Sequence, residues 1–286
     1  MSDLIDLARQ RHFFAEEIET VGNLRTRALV DALARVPREH FLPPGPWVIR
    51  SEADFLGPPR RTIDADPRRV YHNLSIAIDA DRQLFNGAPS LLAMCIERLA
   101  LQPGGRALHV GCGLGYYTAL MAHCVGPAGR VVAIEVDDAL ATAARSNLEA
   151  LRQVDVRAGD GTNLGGESFD AILVNAGVTH PETAWLDGLS GSGRLIFPLT
   201  FAFGPMGPIG KGFLVAVSKR DDHIGAAMIG AVAIYSAVGL RNADINTQLG
   251  ESFKRRPLPT FKRLRRDAHD ESPACWLHTS LFCLST

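Results

Sequence analysis

A glycine-rich turn between two short apolar segments constrains the fold of this chain more than any other feature. The turn carries Gly111, Gly113 and Gly115, and it directly follows an apolar run. Twenty residues after Gly115, Glu135 ends a second apolar run, residues 131–134. Because glycine adopts unusual backbone angles and lets a ligand approach closely, a turn of this kind between strand and helix is typical of nucleoside sites. A carboxylate at the end of the next strand can accept hydrogen bonds from both ribose hydroxyls.

The glycine spacing also limits which nucleotide can bind. The dinucleotide fingerprint G-x-G-x-x-G has its third glycine where this chain has Tyr116, and no lysine follows in the register of a P-loop. A G-x-G-x-G turn does not have to accommodate a pyrophosphate and is typical of enzymes that use S-adenosylmethionine (SAM). We therefore predict SAM as the cofactor and S-adenosyl-L-homocysteine as its product, with a nicotinamide enzyme as the alternative.

Two later segments support a nucleoside site. Asp160 and Gly161 follow the short apolar segment 154–156, where a third strand would end, and an aspartate there can accept a hydrogen bond from an adenine amino group. The apolar run 169–174 indicates a buried fourth strand that ends at Asn175. Because open α/β sheets bind ligands beyond the carboxyl ends of their strands, we predict that Asp160, Gly161 and Asn175 contact the cofactor.

Composition is that of an ordinary soluble globule. The 286 residues, of which 46% are hydrophobic, suffice for one large domain with appendages. A formal net charge of −1 argues against a nonspecific nucleic-acid binder, which usually has a basic excess. The acidic start does not resemble a signal peptide, and the uncharged stretch 224–240 is too short and too rich in glycine and alanine for a membrane span. A cytoplasmic protein without a membrane partner is expected.

The cysteines form neither a C-x-x-C pair nor a zinc-finger spacing. Buried thiols are predicted for three of them, and no disulfide, catalytic role or metal is expected for the two nearest the terminus. The five are Cys95, Cys112, Cys124, Cys275 and Cys283.

The first part of the chain, residues 1–88, is predicted to form an N-terminal helical cap. Apolar residues at helical spacing predict a helix over 3–35, and residues 44–72, rich in Pro, Asp and Arg, predict an irregular segment.

Residues 89–240 are predicted to form the SAM-binding domain. A helix over 89–101 begins at a first-turn proline, and strands then alternate with helices to about residue 197, which predicts a parallel sheet. An antiparallel hairpin over 213–235, with a polar turn at 219–222, is expected to close the edge of that sheet.

The C-terminal extension, residues 241–286, differs in composition from the rest. It carries two basic clusters, 254–256 and 262–266, followed by the apolar segment 274–277. One interpretation is a solvated helix face with a terminal strand or helix docked on the domain. The alternative is a surface that binds an acidic peptide or a phosphate-bearing partner.

Several of these segments resemble the protein-L-isoaspartate O-methyltransferase family over roughly residues 25–235. The resemblance rests on Val-Pro-Arg-Glu-His-Phe-Leu-Pro at 36–43, on residues 101–108 leading into the glycine motif, and on segments 159–161 and 193–198. It implies an α/β class I methyltransferase fold: a Rossmann-like, mostly parallel seven-stranded sheet with an antiparallel C-terminal hairpin, a helical cap and an extension.

One loop departs from the family pattern. Relatives carry Thr-Ile-Ser-x-Pro before the helix that precedes the first strand, and the resemblance implies that this loop contacts the cofactor. Aligned on Pro89, the loop here reads Phe85, Asn86, Gly87, Ala88, with glycine where the family's activity-linked serine stands. The departure suggests a divergent member that methylates another carboxylate of a peptide or protein, with isoaspartyl repair by an altered loop as the alternative.

The chemistry does not require an obvious catalytic base. Methyl transfer from a sulfonium is an in-line displacement that depends mainly on positioning, and a carboxylate acceptor is already ionised at neutral pH. We predict that Asn86 orients the acceptor, although Asn86-Gly87 is equally read as a tight turn. Side chains of the cap are further candidates for binding a peptide carboxylate, namely Arg68, Arg69, Tyr71 and His72.

Two aromatic or imidazole side chains near the glycine motif have competing interpretations. Tyr117 either covers the cofactor or packs in the core, and His109 is expected to pack within the first strand.

Three functions thus compete with methylation of a peptide carboxylate. They are isoaspartyl repair, RNA methylation and a noncatalytic SAM-binding module. Asn175 is followed by Ala-Gly-Val rather than the Pro-Pro-Tyr of amino-directed nucleic-acid methyltransferases, which weakens the RNA alternative. The oligomeric state is left open.

Overall fold

A computed structural model describes residues 2–54, 57–202, 207–220 and 223–286. The α-helices of this part are α1 Ser2–Gly22, α2 Arg27–Arg35, α3 Pro89–Leu99, α4 Tyr116–Val125, α5 Asp138–Asn147, α6 Thr183–Asp187 and α7 Ala243–Arg255. Its strands are β1 Val48–Arg50, β2 Arg60–Arg61, β3 Ser75–Asp79, β4 Leu84–Phe85, β5 Arg106–Val110, β6 Arg130–Glu135, β7 Val154–Ala158, β8 Phe169–Val174, β9 Leu189–Ala202, β10 Ile209–Arg220, β11 His223–Tyr235, β12 Arg263–Arg265, β13 Cys275–His278 and β14 Cys283–Ser285.

The described residues divide into two compact units. The first comprises the chain up to Gly105 together with Cys112–Ala158, and the second comprises Arg106–Gly111 and Gly159–Thr286. The first unit holds α1 to α5 and a parallel pair of strands, β6 and β7. It also holds an antiparallel sheet with the strand order β2-β1-β3-β4.

The N-terminal region contains more regular structure than its composition predicts. The predicted helix over 3–35 is two helices, because Asn23 adopts a left-handed φ of 49° and the N–H of Leu24 donates to the Glu19 carbonyl, which ends α1. The prediction of an irregular segment over 44–72 is wrong in part. Trp47 and Thr62 exchange hydrogen bonds, and this long-range pairing aligns β1 with β2.

The second unit is built on one sheet with the strand order β13-β14-β12-β11-β10-β9-β8-β5. Strands β5, β8 and β9 run parallel, as predicted, and β9, β10 and β11 form an antiparallel meander. The central strand β8 has an almost continuous run of buried residues, which is typical of strands covered on both faces. The α/β class is therefore confirmed.

The sheet extends beyond the predicted hairpin. The hairpin of β10 and β11 exists, with residues 221–222 of its predicted turn outside the described residues. The prediction that it closes the sheet edge is wrong, since Gly225 pairs with Arg263 and thereby adds β12, β14 and β13. This unit alone has eight strands in its sheet, against the seven predicted for the whole domain.

Among the described residues, no helix is long and apolar enough to cross a membrane.

Candidate cofactor and acceptor site

In the first unit, the glycine turn has the backbone geometry that the motif predicts. Gly113 and Gly115 have φ values of 54° and 97°, and Gly115 caps the start of α4. A Cβ on Gly115 would lie 2.7 Å from Cδ1 of Leu148, and one on Gly113 would lie 3.0 Å from Cδ1 of Ile78. Since Cβ contacts this short are rare and residues with side chains seldom adopt these angles, both positions favour glycine. Such a bare turn fits a ligand that approaches the backbone closely.

Glu135 ends β6 beside this turn, with its carboxylate held by backbone donors. Its Oε2 accepts a hydrogen bond from the Gly113 N–H at 2.8 Å, and its Oε1 accepts one from the Asp137 N–H at 3.2 Å. The side chain is only 7% exposed. Burial and two fixed donors hold the carboxylate in one orientation, which is what recognition of a ribose diol requires.

In the second unit, the first glycine of the motif lies against the end of β8. Gly111 has a φ of 75°, and a Cβ on it would lie 3.3 Å from the Asn175 carbonyl oxygen. The Asn175 N–H donates to the Val110 carbonyl at 2.8 Å. The predicted site residues Gly111 and Asn175 are therefore neighbours.

Asp160 and Gly161 lie in a tight turn of the same unit. Asp160 Oδ1 accepts hydrogen bonds from the N–H and the hydroxyl of Thr162 at 2.9 and 2.7 Å, and these bonds hold the pKa of the Asp160 carboxyl below its usual value. Gly161 has a φ of 82°, and its carbonyl accepts a hydrogen bond from the buried indole of Trp185 at 2.8 Å. The Asp160 carboxylate thus stays ionised and oriented as an acceptor.

The loop that departs from the family pattern, Phe85 to Gly87, belongs to the first unit. Asn86 exchanges two hydrogen bonds with Ile76: its N–H donates to the Ile76 carbonyl and its Oδ1 accepts the Ile76 N–H, both at 2.9 Å. The Asn86 carboxamide oxygen therefore extends the pairing of β3 and β4. Gly87 has a φ of 82°, and its carbonyl accepts the Tyr117 hydroxyl at 2.9 Å. Tyr117 is buried and fastens this loop to α4.

Three of the four cap candidates have contacts within the chain. Arg68 contacts Asp66 and Asp6, and Arg69 contacts Asp64, in exposed ion pairs that contribute little to stability. Tyr71 is buried, and burial is the main cause of its raised pKa. His72 is exposed.

Arg38 is a structural residue of the cap that its sequence motif did not reveal. The side chain is fully buried, and its guanidinium donates to the carbonyls of Val70, His72 and Leu74 at 2.6, 3.0 and 2.8 Å. The Val-Pro-Arg element thus organises the backbone that precedes β3. A buried arginine of this kind shows no sequence signal beyond the resemblance itself.

Arg241 plays a corresponding part in the second unit. Its guanidinium donates to the Gly177 carbonyl at 2.9 Å, to both oxygens of Thr200 at 3.0 Å and to Asn246 Oδ1 at 2.8 Å. Partial burial lowers the pKa of Arg241. The loop that follows β8 is therefore fixed by a residue from the C-terminal extension.

The predicted buried thiols are confirmed for Cys95, Cys112 and Cys124. Burial raises the pKa of Cys95 to about 12, and it also raises the pKa of the other two thiols, so none of them is a nucleophile near neutral pH. His109 packs fully buried within β5, as predicted.

Solved structures share this fold. A protein-L-isoaspartate O-methyltransferase superposes with a TM-score of 0.62 at 23% identity, covering 88% of this chain and 71% of that chain. A Plasmodium falciparum protein, described as a β-aspartate methyltransferase in complex with S-adenosyl-L-homocysteine, gives a TM-score of 0.59 at 19% identity, covering 79% of this chain and 97% of that one. At these identities the likeness concerns the fold.

Sequence comparison identifies the family. The profile described as protein-L-isoaspartate(D-aspartate) O-methyltransferase matches residues 59–222. A protein-L-isoaspartate O-methyltransferase of Methylorubrum populi is 34% identical over 220 residues, covering 76% of this chain and 88% of that protein. The prediction of a SAM-dependent O-methyltransferase is therefore confirmed. The chain belongs to the protein-L-isoaspartate(D-aspartate) O-methyltransferase family.

Proposed function

We propose that this chain methylates a carboxylate of a peptide or protein, and that isoaspartyl residues are the first acceptor to consider. The observation that carries the proposal is the buried Glu135 carboxylate, held by the Gly113 and Asp137 N–H groups at the glycine turn. The choice of acceptor is supported by the name of the Methylorubrum populi relative, which this chain matches over 88% of its length.

Each predicted site residue would contact the part of SAM that suits its functional group. Glu135 would accept hydrogen bonds from the ribose hydroxyls, and Asp160 would accept one from the adenine amino group. Gly111, Gly113, Gly115 and Gly161 would admit the cofactor to the backbone, with Asn175 and residues 85–87 as further contacts. When bound, SAM supplies a methyl group activated by its sulfonium.

The protein's own contribution to the reaction would be positioning. A carboxylate acceptor is ionised near neutral pH, so the chain does not have to remove a proton from it. Asn86 remains our candidate for orienting the acceptor. Because the Asn86 Oδ1 accepts the Ile76 N–H, the carboxamide nitrogen of Asn86 is the group that could donate to the acceptor carboxylate.

A second candidate acceptor is a peptide carboxylate other than isoaspartate. It is favoured by Gly87, which occupies the position of the family's loop serine and has a φ of 82°. A serine would be strained at this angle, so the loop has a backbone suited to glycine.

A methyl-transfer assay with labelled SAM separates the two acceptors. We would offer an isoaspartyl peptide, its aspartyl counterpart and a peptide whose only free acid is its C-terminus, and measure base-labile label released as methanol. Label confined to the isoaspartyl peptide supports repair without the serine. Label on another carboxylate supports the second candidate, and no label on any peptide contradicts both. Gly87→Ser and Gly87→Ala together distinguish a chemical effect of the hydroxyl from strain.

The cofactor assignment has its own test in Glu135→Ala. Loss of two charge-assisted hydrogen bonds to ribose should weaken binding of S-adenosyl-L-homocysteine by roughly 10-fold to 100-fold, measured by calorimetry. Glu149→Ala, at an exposed position, is the matched control. Unchanged affinity in a folded Glu135→Ala protein would overturn the ribose assignment.

A further inference from the structure

Four side chains of the C-terminal extension converge at the outer edge of the second unit's sheet. Cys275 and His278 lie on β13, Cys283 begins β14, and His269 lies in the segment before β13. One ligand atom from each residue lies within 4.8 Å of the others. The cluster lies outside residues 59–222, the part matched by the family profile.

Strand pairing accounts for part of this convergence. β13 and β14 are antiparallel neighbours, and His278 pairs directly with Cys283. Both cysteines are buried. Two thiols and two imidazoles are thus gathered at one point from positions that show no zinc-finger spacing.

The imidazole of His269 is oriented as a metal ligand. Its Nδ1 lies 2.8 Å from the Asp267 carbonyl oxygen and must donate to it, since that oxygen is only an acceptor. Nε2 therefore carries the lone pair of the neutral ring, and it lies 3.9 Å from the Cys275 Sγ. A backbone carbonyl that fixes the tautomer of a histidine is the usual outer contact of a ligating imidazole.

The second imidazole, that of His278, has a ring nitrogen without a hydrogen-bond partner among the described residues. Within the described part of the chain, Nδ1 of His278 is buried without a hydrogen-bond partner. The rings of His269 and His278 meet edge to face, with centroids 4.7 Å apart. Because an unpartnered buried polar atom costs stability, a ligand beyond those that the described residues supply would stabilise Nδ1 of His278.

We propose that His269, Cys275, His278 and Cys283 bind one Zn²⁺ ion. Two sulfur and two nitrogen ligands are a set that zinc binds tetrahedrally, and four protein ligands characterise structural rather than catalytic sites. In such a site neighbouring ligand atoms are about 3.3–3.8 Å apart, as follows from the Zn–N and Zn–S bond lengths. The cluster needs only a small contraction to reach that geometry.

The ion would add stability to the short strands at the edge of this sheet. β12, β13 and β14 have three, four and three residues, and isolated hairpins of this size are marginal in water. Zinc would join the segment after β12 to the β13–β14 pair, so its binding free energy would contribute to folding of the sheet edge.

Metal content of the full-length protein, purified without a polyhistidine tag, is the first measurement. We expect about one zinc per chain by mass spectrometry. Cys283→Ser should lose most of it, whereas the control variants Cys95→Ala and His223→Asn, at a buried thiol and an exposed imidazole outside the cluster, should keep it.

Cobalt substitution tests the ligand set even where a cysteine variant folds poorly. Co²⁺ added to the chelator-treated protein should give the intense visible bands of a tetrahedral site and thiolate charge-transfer absorption. His269→Cys should retain metal and strengthen the charge-transfer band, since it replaces nitrogen by a third thiolate. Octahedral cobalt, a metal-free protein with free thiols, or a Cys275–Cys283 disulfide found by peptide mapping would each overturn the proposal.

Discussion

Among single residues, the glycines of the motif mark positions where the backbone adopts left-handed angles. Gly115 has a φ of 97° and leaves no space for a Cβ, whereas Gly104 has a φ of 79° and open space of at least 4 Å around the position that a Cβ would take. Substitution of Gly104 would therefore cost stability through backbone strain alone, whereas substitution of Gly115 would add steric crowding. Replacement of Gly115 should therefore cost more than replacement of Gly104.

We therefore expect Gly104→Ala to destabilise the protein by about 1 kcal/mol, because alanine is strained in this region. Gly115→Ala should cost about 1–3 kcal/mol more, since its Cβ would overlap Leu148. Urea unfolding of both variants measures the difference. Equal losses would contradict the crowding at Gly115.

His109 gives the stability of the protein a dependence on pH. Burial lowers the pKa of His109 to about 3 from its ordinary value of 6.5. Between these values the unfolded chain binds a proton at His109 that the folded chain does not, so stability is lost as pH falls from 6.5 towards 3.

The wild type should thus lose about 2 kcal/mol at this residue between pH 7 and pH 5. His109→Leu, of similar volume, removes that loss and leaves every other histidine in place. The difference in unfolding free energy between the two pH values should be smaller in the variant. An identical pH dependence in both proteins would show that His109 titrates normally.

Among the elements of the cap, the buried Arg38 guanidinium binds backbone carbonyls of the segment before β3. Arg38 donates hydrogen bonds to three backbone carbonyls, at Val70, His72 and Leu74. The 3₁₀ helix Arg38–Phe41 is thereby joined to the residues that precede β3, which are far from it in the sequence.

Arg38→Met should destabilise the protein by about 3 kcal/mol or more, because it leaves three carbonyls without donors. Chemical denaturation measures this loss, with the exposed Arg25→Met as the matched control. Limited proteolysis should also cut the region after residue 66 faster in Arg38→Met. A stability equal to that of the control would mean that water replaces the guanidinium without cost.

At the scale of the whole molecule, the C-terminal extension is part of the second unit's core. Phe213 on β10 contacts Phe253 of α7, Phe261 and Trp276 of β13, with ring centroids 5.1, 5.8 and 5.2 Å apart. The basic clusters of the extension form some ion pairs within the chain, since Arg265 pairs with Asp267 and Arg266 with Asp187. The interpretation of docked terminal elements agrees with these contacts.

Phe213→Ala should therefore cost about 3–5 kcal/mol, because it opens a cavity at the centre of this aromatic cluster. Thermal and urea unfolding measure the effect, and Phe13→Ala, at a side chain 53% exposed, is the control. A small loss would mean that the extension packs on the sheet without contributing to its stability.

Features of this protein that have local sequence signals could be predicted before its structure was known. Gly113, Gly115 and Glu135 could be recognised because backbone angle and strand position follow from neighbouring residues. The alternation of strands and helices through β5 to β9 was predictable for the same reason.

Features that depend on residues far apart in the chain became visible in the folded protein alone. The pairing of Gly225 with Arg263, the three carbonyls bound by Arg38, and the convergence of His269 with Cys283 leave no periodic or spaced signal. Each arises because burial and strand pairing bring together side chains whose separation in sequence is arbitrary. The sequence could therefore suggest a terminal element docked on the domain, but only the fold shows that the extension forms the outer edge of the sheet.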